Sequence, residues 1–140
     1  MSTYSDAAAG LRKVLQDNIT GLVAYDHPAD SVSSFPAAVI LPEAIDLLVA
    51  IRGNSYEASF RVVFLISSAD DDAGFKSLYD YIDPAEASKS VKKAVDTDNT
   101  LDGKVDSSQV RRIENIGRRE LFGGFYFGFD AIVDFIKTVA

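Results

Sequence analysis

The chain of 140 residues has no cysteine and no tryptophan, and it has a single histidine. The missing cysteine excludes disulfides, thiolate metal ligands and cysteine nucleophiles, and it fits a reducing compartment such as a cytoplasm. The histidine, His27, precedes Pro28 in a predicted loop. No serine lies in the glycine-flanked elbow of serine hydrolases, so His27 has no obvious nucleophile to activate.

Long apolar runs are also missing. None approaches the roughly 20 residues that a membrane-spanning helix requires. The N-terminus "MSTYSDAAAGLRK" lacks the basic start and apolar run of a secretion signal. We therefore expect no membrane association and expect synthesis in the cytosol.

Positive charge is scarce, because 14 Lys and Arg face 21 Asp and Glu, which gives a formal net charge of −7. Positive charge supplies most of the affinity of general nucleic-acid binders. The composition therefore argues against that class of protein.

What is present is typical of one folded domain spanning residues 1–140, with 47% hydrophobic residues. Apolar periodicity predicts a helix over residues 6–18, with Ser5 or Asp6 as its N-cap, and a short strand over residues 22–25. A strand over residues 37–45 contains Pro42, which indicates an edge position or a bulge.

The Gly-Asn pair in "RGNSY" predicts a hairpin turn into the strand "EASFRVVFLIS", whose apolar residues occupy both faces. A helix follows "SSADDD", and a shorter helix begins at Ser88 or Ser90. The segments "QVRRIENIGRREL" and "FYFGFDAIVDFI" predict two long strands, joined near Gly123 and Gly124 or earlier near Gly117. The odd-numbered positions from 125 to 135 form one dry, largely aromatic face.

This order of elements predicts an α+β domain. We expect a mostly antiparallel sheet with a long C-terminal β-hairpin and helices packed on one face.

Three adjacent aspartates at positions 70–72 precede the predicted second helix. Acidic side chains are favoured in a first helical turn, although magnesium or calcium could use the same oxygens. A calcium loop needs alternating acids, a central glycine and a closing glutamate. Tyr81 takes the closing position after these aspartates, and "DTDNTLDGKVDSS" has Leu101 and Ser107 at the two defining positions. Helix capping and solvated loop are therefore favoured, and we expect no catalytic residue, metal or cofactor.

A small basic cluster on the two strands that flank "IENIG" consists of Arg111, Arg112, Arg118 and Arg119. Arginine pairs well with carboxylates across protein interfaces, so these four are candidate subunit-interface residues. A plain solvated surface remains an equal alternative. Nucleic-acid contact would favour interleaved aromatic residues and an overall basic surplus, and it is disfavoured because the surplus is missing.

In the order of its segments the whole chain resembles the tail terminator (tail completion) proteins of long-tailed bacteriophages, especially those that infect actinobacteria. The resemblance is carried jointly by "ITGLVAYDHPADSV", "FPAAVILPEAID", "RGNSYEASFRVVFLIS", "SADDDAGFKSLYDYID", "SVKKAVDTDNTLDGKVDSSQV" and "FYFGFDAIVDFI". These segments are structural, and the family brings no catalytic residue with it.

The resemblance implies a ring of identical subunits, usually six, at the head-proximal end of the tail tube. Such a ring stops polymerisation of the tail tube protein and joins the tail to the head-tail connector. Viral DNA would pass through the lumen without specific binding, which an acidic surface suits. The implied location is the virion, after assembly in the host cytoplasm.

Two other functions stay open on the sequence. The chain could be another neck, head-completion or tube-type ring protein of the same virion. It could also be a small metal-dependent enzyme that uses Asp72 or Asp98, which would have to bind a divalent metal.

Overall fold

A computed structural model describes residues 2–28, 32, 34–47, 55–68, 72–121 and 123–138, apart from the side chain of residue 72. In this part of the chain three helices pack on a five-stranded mixed sheet, so the predicted α+β class is confirmed. The elements are α1 (Thr3–Asn18), β1 (Val23–Tyr25), β2 (Ala37–Asp46), β3 (Ser55–Ser68), α2 (Asp72–Ile82), α3 (Val91–Thr97), β4 (Ser107–Leu121) and β5 (Gly124–Thr138).

Helix α1 begins earlier than the sequence predicted. Its N-cap is Ser2, whose hydroxyl accepts a hydrogen bond from the amide of Ser5, and not Ser5 or Asp6. Ser5 lies inside the first turn, where its own hydroxyl donates to the carbonyl of Ser2. The predicted alternative of Ser90 as the N-cap of α3 is confirmed, because its hydroxyl accepts from the amide of Lys93.

The strand order is β1-β2-β3-β5-β4, and β1 with β2 is the one parallel pair in the described sheet. The predicted irregularity at Pro42 is confirmed, since the β2–β3 register shifts between Pro42 and Ala44. Strand β1 pairs only with residues 37–39 of β2, so Pro42 lies beyond it. The turn predicted at the Gly-Asn pair lies outside the described residues.

All three helices cover the same face of the sheet. The alternation predicted for β3 and β5 is confirmed, and the rings of the two strands stack in pairs, Phe60 on Phe135 at 5.1 Å and Phe64 on Phe129 at 4.9 Å between centroids. We call the opposite side of the sheet the open face. One end of the open face is covered by a second, smaller apolar cluster, which consists of Val32, Ala37, Val39, Val63, Leu65 and Tyr126.

Strands β4 and β5 form one long hairpin, with 15 residues in each strand. The last pair before its turn is Leu121 with Gly124, so the predicted turn near Gly123 and Gly124 is correct. Gly117 is instead part of a bulge, where the register shifts between Glu114 and Gly117. The predicted dry face is wrong at Phe125, which is 51% exposed and lies one residue beyond Tyr126, the end of the pairing with the described part of β3.

Gly10 lies where α1 packs against the loop that follows α3. A Cβ atom at this position would lie 2.0 Å from the backbone carbonyl oxygen of Leu101. We expect Gly10→Ala to destabilise the protein by about 1–3 kcal/mol through overpacking, measured by urea unfolding. Helix propensity alone predicts the opposite sign, a gain of about 1 kcal/mol. A stabilised variant would therefore contradict the packing, and Ala9→Gly at an exposed position of the same helix calibrates the propensity effect.

Candidate functional site

A buried carboxylate lies at the centre of the open face. Asp130 of β5 has a side chain that is only 2% exposed, and its Oδ2 accepts hydrogen bonds from Arg61 Nη1 at 2.8 Å and from Asn115 Nδ2 at 3.0 Å. The guanidinium of Arg119 binds its Oδ1. A buried charge is tolerated only where such partners replace water, and Asp130 has three of them.

Arg61 extends this network across the neighbouring strands. Its Nε and Nη2 bind both carboxylate oxygens of Glu43 on β2, at 2.8 and 3.1 Å. Nη2 also lies 2.9 Å from Glu114 Oε1 on β4. The hydrogen bond to Glu43, and after it in importance the bond to Asp130, raises the pKa of the Arg61 guanidinium above its ordinary value. The bond from Arg61 in turn lowers the pKa of Glu43.

The bulge in β4 explains how these groups meet. Glu114 pairs with Asp130 across the hairpin, and Asn115 has a positive φ of 55°. The extra residues between Glu114 and Gly117 allow both Glu114 and Asn115 to reach the middle of the open face. The register of the hairpin, and not any local motif, assembles the network.

Three of the four predicted interface arginines bind carboxylates of their own chain. Arg119 belongs to the Asp130 network, Arg111 Nε lies 2.8 Å from Asp134 Oδ2, and Arg112 Nη1 lies 3.3 Å from Glu114 Oε2. The structure therefore distributes these arginines along the hairpin and does not gather them into one basic patch.

Arg118, the fourth, is different. Its guanidinium carbon lies 4.6 Å from the centroid of the Phe125 ring, a cation–π arrangement, and within the described ranges it forms no ion pair. Phe75 and Tyr79 of α2 continue the apolar surface beside the hairpin, with exposures of 41% and 60%. Phe127 connects the two elements, since its ring lies edge-to-face against Phe75 at 5.4 Å. We call Phe75, Tyr79, Arg118 and Phe125 the tip patch.

A groove of about 570 Å³ crosses four strands at the opposite end of the sheet. Its lining includes Ile45, Asp46, Glu57, Ser107 and Ile136. The two isoleucines are 46% and 38% exposed. We call this feature the end groove. Neither surface was predicted from the sequence.

The aspartate stretches that the sequence singled out make local contacts where they are described. Asp70 and Asp71 lie outside the described residues, as does the side chain of Asp72. Asp98 accepts hydrogen bonds from the hydroxyl of Thr100 at 2.6 Å and from the amide of Asp102 at 3.1 Å. The bond from the Thr100 hydroxyl is the main cause of its lowered pKa.

Neither metal chemistry nor the histidine gains support from the geometry. The residues with described positions contain no group of three or more His, Asp and Glu that could hold a metal ion. His27 is exposed, and its Nδ1 lies 3.2 Å from Asp26 Oδ1 of the same loop. Its ring contacts that of Tyr25 edge-to-face. No described helix is long and apolar enough to cross a membrane.

No known family model matches this chain, and no curated protein is significantly similar to it. The features that bear on function are therefore the surfaces and charges of the molecule itself.

The network on the open face predicts that two aspartates on the same face of β5 contribute very differently to the stability of the protein. We expect Asp130→Asn to lower the free energy of unfolding by about 3 kcal/mol, since a buried ion pair loses its carboxylate while the two arginines remain. Asp134→Asn removes only the exposed pair with Arg111 and should cost at most about 1 kcal/mol. Urea unfolding measures both variants, and equal losses would contradict the role of Asp130.

The lowered pKa of Glu43 predicts an acid-dependent contribution to stability. A carboxylate with a depressed folded-state pKa stabilises the protein above its unfolded pKa, and this contribution is lost as the pH falls through the folded value. Glu43→Gln should therefore have a lower free energy of unfolding than the wild type at about pH 6, and this difference should shrink as the pH falls to about 3. In an Arg61→Met background the same substitution should have a small effect at both pH values. A deficit that is independent of pH would argue against the pair.

Proposed function

We propose that this chain is a structural subunit of a bacteriophage virion that assembles with copies of itself into a ring, with six subunits as the expected number. The ring caps the head-proximal end of the tail tube, ends polymerisation of the tube protein and joins the tail to the head connector. DNA passes through its lumen. No catalytic step is part of this proposal.

The observation that carries the proposal is the placement of exposed apolar residues at the two ends of the sheet. The tip patch contains two aromatic residues that are at least half exposed, Tyr79 and Phe125, and the end groove contains Ile45 and Ile136. Clustered exposed apolar side chains with a neighbouring arginine are typical of protein–protein contacts. A subunit that contacts a neighbour on each side needs two such surfaces.

The edge of the sheet supports assembly through defined side-chain contacts. In the described sheet β4 is an edge strand of 15 residues, which would be a hazard for indiscriminate strand pairing. Two bulges interrupt it, and Arg111, Arg112 and Arg118 are exposed along it. Bulges and charges of this kind discourage open-ended strand addition. A closed ring is compatible with such an edge, because its contacts need not extend the sheet.

The same surfaces would serve another ring protein of the virion neck or a tube-type subunit. The two roles differ in where the protein lies. Labelling the protein in intact particles distinguishes them, because a terminator occupies the junction between the tube end and the connector, whereas a tube-type subunit occurs along the whole tail.

The test of the proposal is whether the purified chain forms a ring and stops the growth of tubes. We expect light scattering to give a mass near six times 15.2 kDa, either for the protein alone or after it binds tube ends. Added to polymerising tube protein, it should shorten the tubes, and electron microscopy should find it at one tube end. A chain that stays monomeric both alone and with tubes, and leaves tube length unchanged, would refute the proposal.

A further inference from the structure

We propose that neighbouring copies of this chain contact each other head to tail, with the tip patch of one copy seated in the end groove of the next. The inference deepens the proposed function and rests on it for the identity of the partner, a second copy of this chain. The contact itself is argued from the position, shape and charge of the two surfaces.

The two surfaces lie at opposite ends of β5. Phe125 is next to its first residue, whereas Ile136 is near its last. At about 3.3 Å per residue they are roughly 35 Å apart. Their side chains also point to opposite faces of the sheet, since Phe125 continues the helix-covered row of Phe129 and Phe135. One copy therefore cannot bring its own tip patch into its own end groove.

The tip patch has the composition of an interface anchor. Aromatic residues and arginine dominate the binding energy of protein interfaces. The guanidinium of Arg118 lies against Phe125, and it has no carboxylate partner among the residues with described positions. Lys76, exposed between Phe75 and Tyr79, also forms no ion pair within those residues. The patch thus offers an aromatic surface together with two basic side chains that form no ion pair within the described residues, beside the exposed Glu120.

The end groove has the complementary character. Ile136 gives it apolar surface on the face that it shares with Asp46 and Glu57, whereas Ile45 lies opposite the core residue Ala58 at its rim. The volume of the groove is within the roughly 300–1,000 Å³ of pockets that receive drug-sized ligands. Glu57 is exposed on its lining and forms no ion pair in the described part of the chain. Asp46 lies opposite Glu57 in the strand register, so two acidic residues are adjacent there. The basic and aromatic tip patch complements this groove in both charge and polarity.

The symmetry of the contact follows from the two surfaces being different. A two-fold dimer that paired like surfaces would bring Arg118 towards Arg118, or Glu57 towards Glu57. A two-fold dimer that paired the tip patch with the end groove twice would need both surfaces to face the same neighbour, but Phe125 and Ile136 point to opposite faces of the sheet. Like charges facing each other are unfavourable, whereas a head-to-tail contact pairs Arg118 and Lys76 with the acidic groove. Head-to-tail contacts form closed rings when the rotation between copies permits closure.

Because the chain has no cysteine, single engineered cysteines can test this contact directly. Glu120→Cys lies beside Phe125 in the hairpin, and Ser107→Cys lines the end groove. One variant carries a mass tag, the two are mixed under mild oxidation, and the products are separated without reductant. The control pairs Glu120→Cys with Lys13→Cys, at an exposed position of α1. We expect the yield of the Glu120→Cys/Ser107→Cys disulfide to exceed that of the control by about tenfold or more, since contact raises the effective concentration of the two thiols.

Charge reversal separates a specific contact from chance collision. Arg118→Glu added to the Glu120→Cys chain should reduce the mixed disulfide to the control level, and so should Glu57→Arg added to the Ser107→Cys chain. Combining the two reversed partners should restore it. Disulfides within the Glu120→Cys population that equal or exceed the mixed product, or charge reversals without effect, would overturn the inference.

The outcomes also distinguish this inference from the proposed function. A ring seen by light scattering without the mixed disulfide would refute the head-to-tail contact and leave the ring in place. The mixed disulfide with its charge dependence, from a protein that does not limit tube length, would establish the contact and refute the terminator role.

Discussion

The pairing of β3 with β5 is the constraint on which the rest of this structure depends. It runs from Ser55 opposite Thr138 to Ser68 opposite Tyr126 and stacks two pairs of phenylalanine rings on its helix-covered side. A slip of one residue would send those rings to the open face. Gly128 allows the close approach that the pairing needs, because a Cβ there would lie 2.0 Å from the carbonyl oxygen of Phe64.

The same pairing fixes the charges on the other side. Arg61 and Asp130 alternate with core residues of β3 and β5, so the register that buries the rings also brings the guanidinium to the carboxylate. Buried ionic groups add little net stability, but removing one partner is costly. A different register would leave Asp130 without its arginines, so the network disfavours the alternatives to the native pairing.

Sequence patterns predict what is local and periodic in this fold. The two-residue alternation of β3 and β5, the bulge at Pro42 and the N-cap at Ser90 follow from neighbours in the chain. The contacts of the arginines cannot be predicted in this way, because Arg111 and Arg119 bind carboxylates of β5 across a pairing that two bulges in β4 interrupt. Arg119 reaches Asp130 only through the hairpin register, and nothing in the sequence distinguishes Arg118 as the one of the four without a carboxylate partner in the described structure.

The distribution of charge constrains how such a subunit would sit in a ring. The Asp130 network and the ion pairs beside it contain as many carboxylates as arginines: Glu43, Glu114, Asp130 and Asp134 with Arg61, Arg111, Arg112 and Arg119. Their charges cancel, so the formal net charge of −7 comes from the remainder of the chain. An acidic lumen would suit the passage of DNA in the proposed function, and the charge-balanced centre of the open face is poorly suited to line such a lumen. The helix-bearing side and its connecting loops are better suited to it, because exposed acids such as Asp83 and Asp102 lie there and form no ion pair within the described residues.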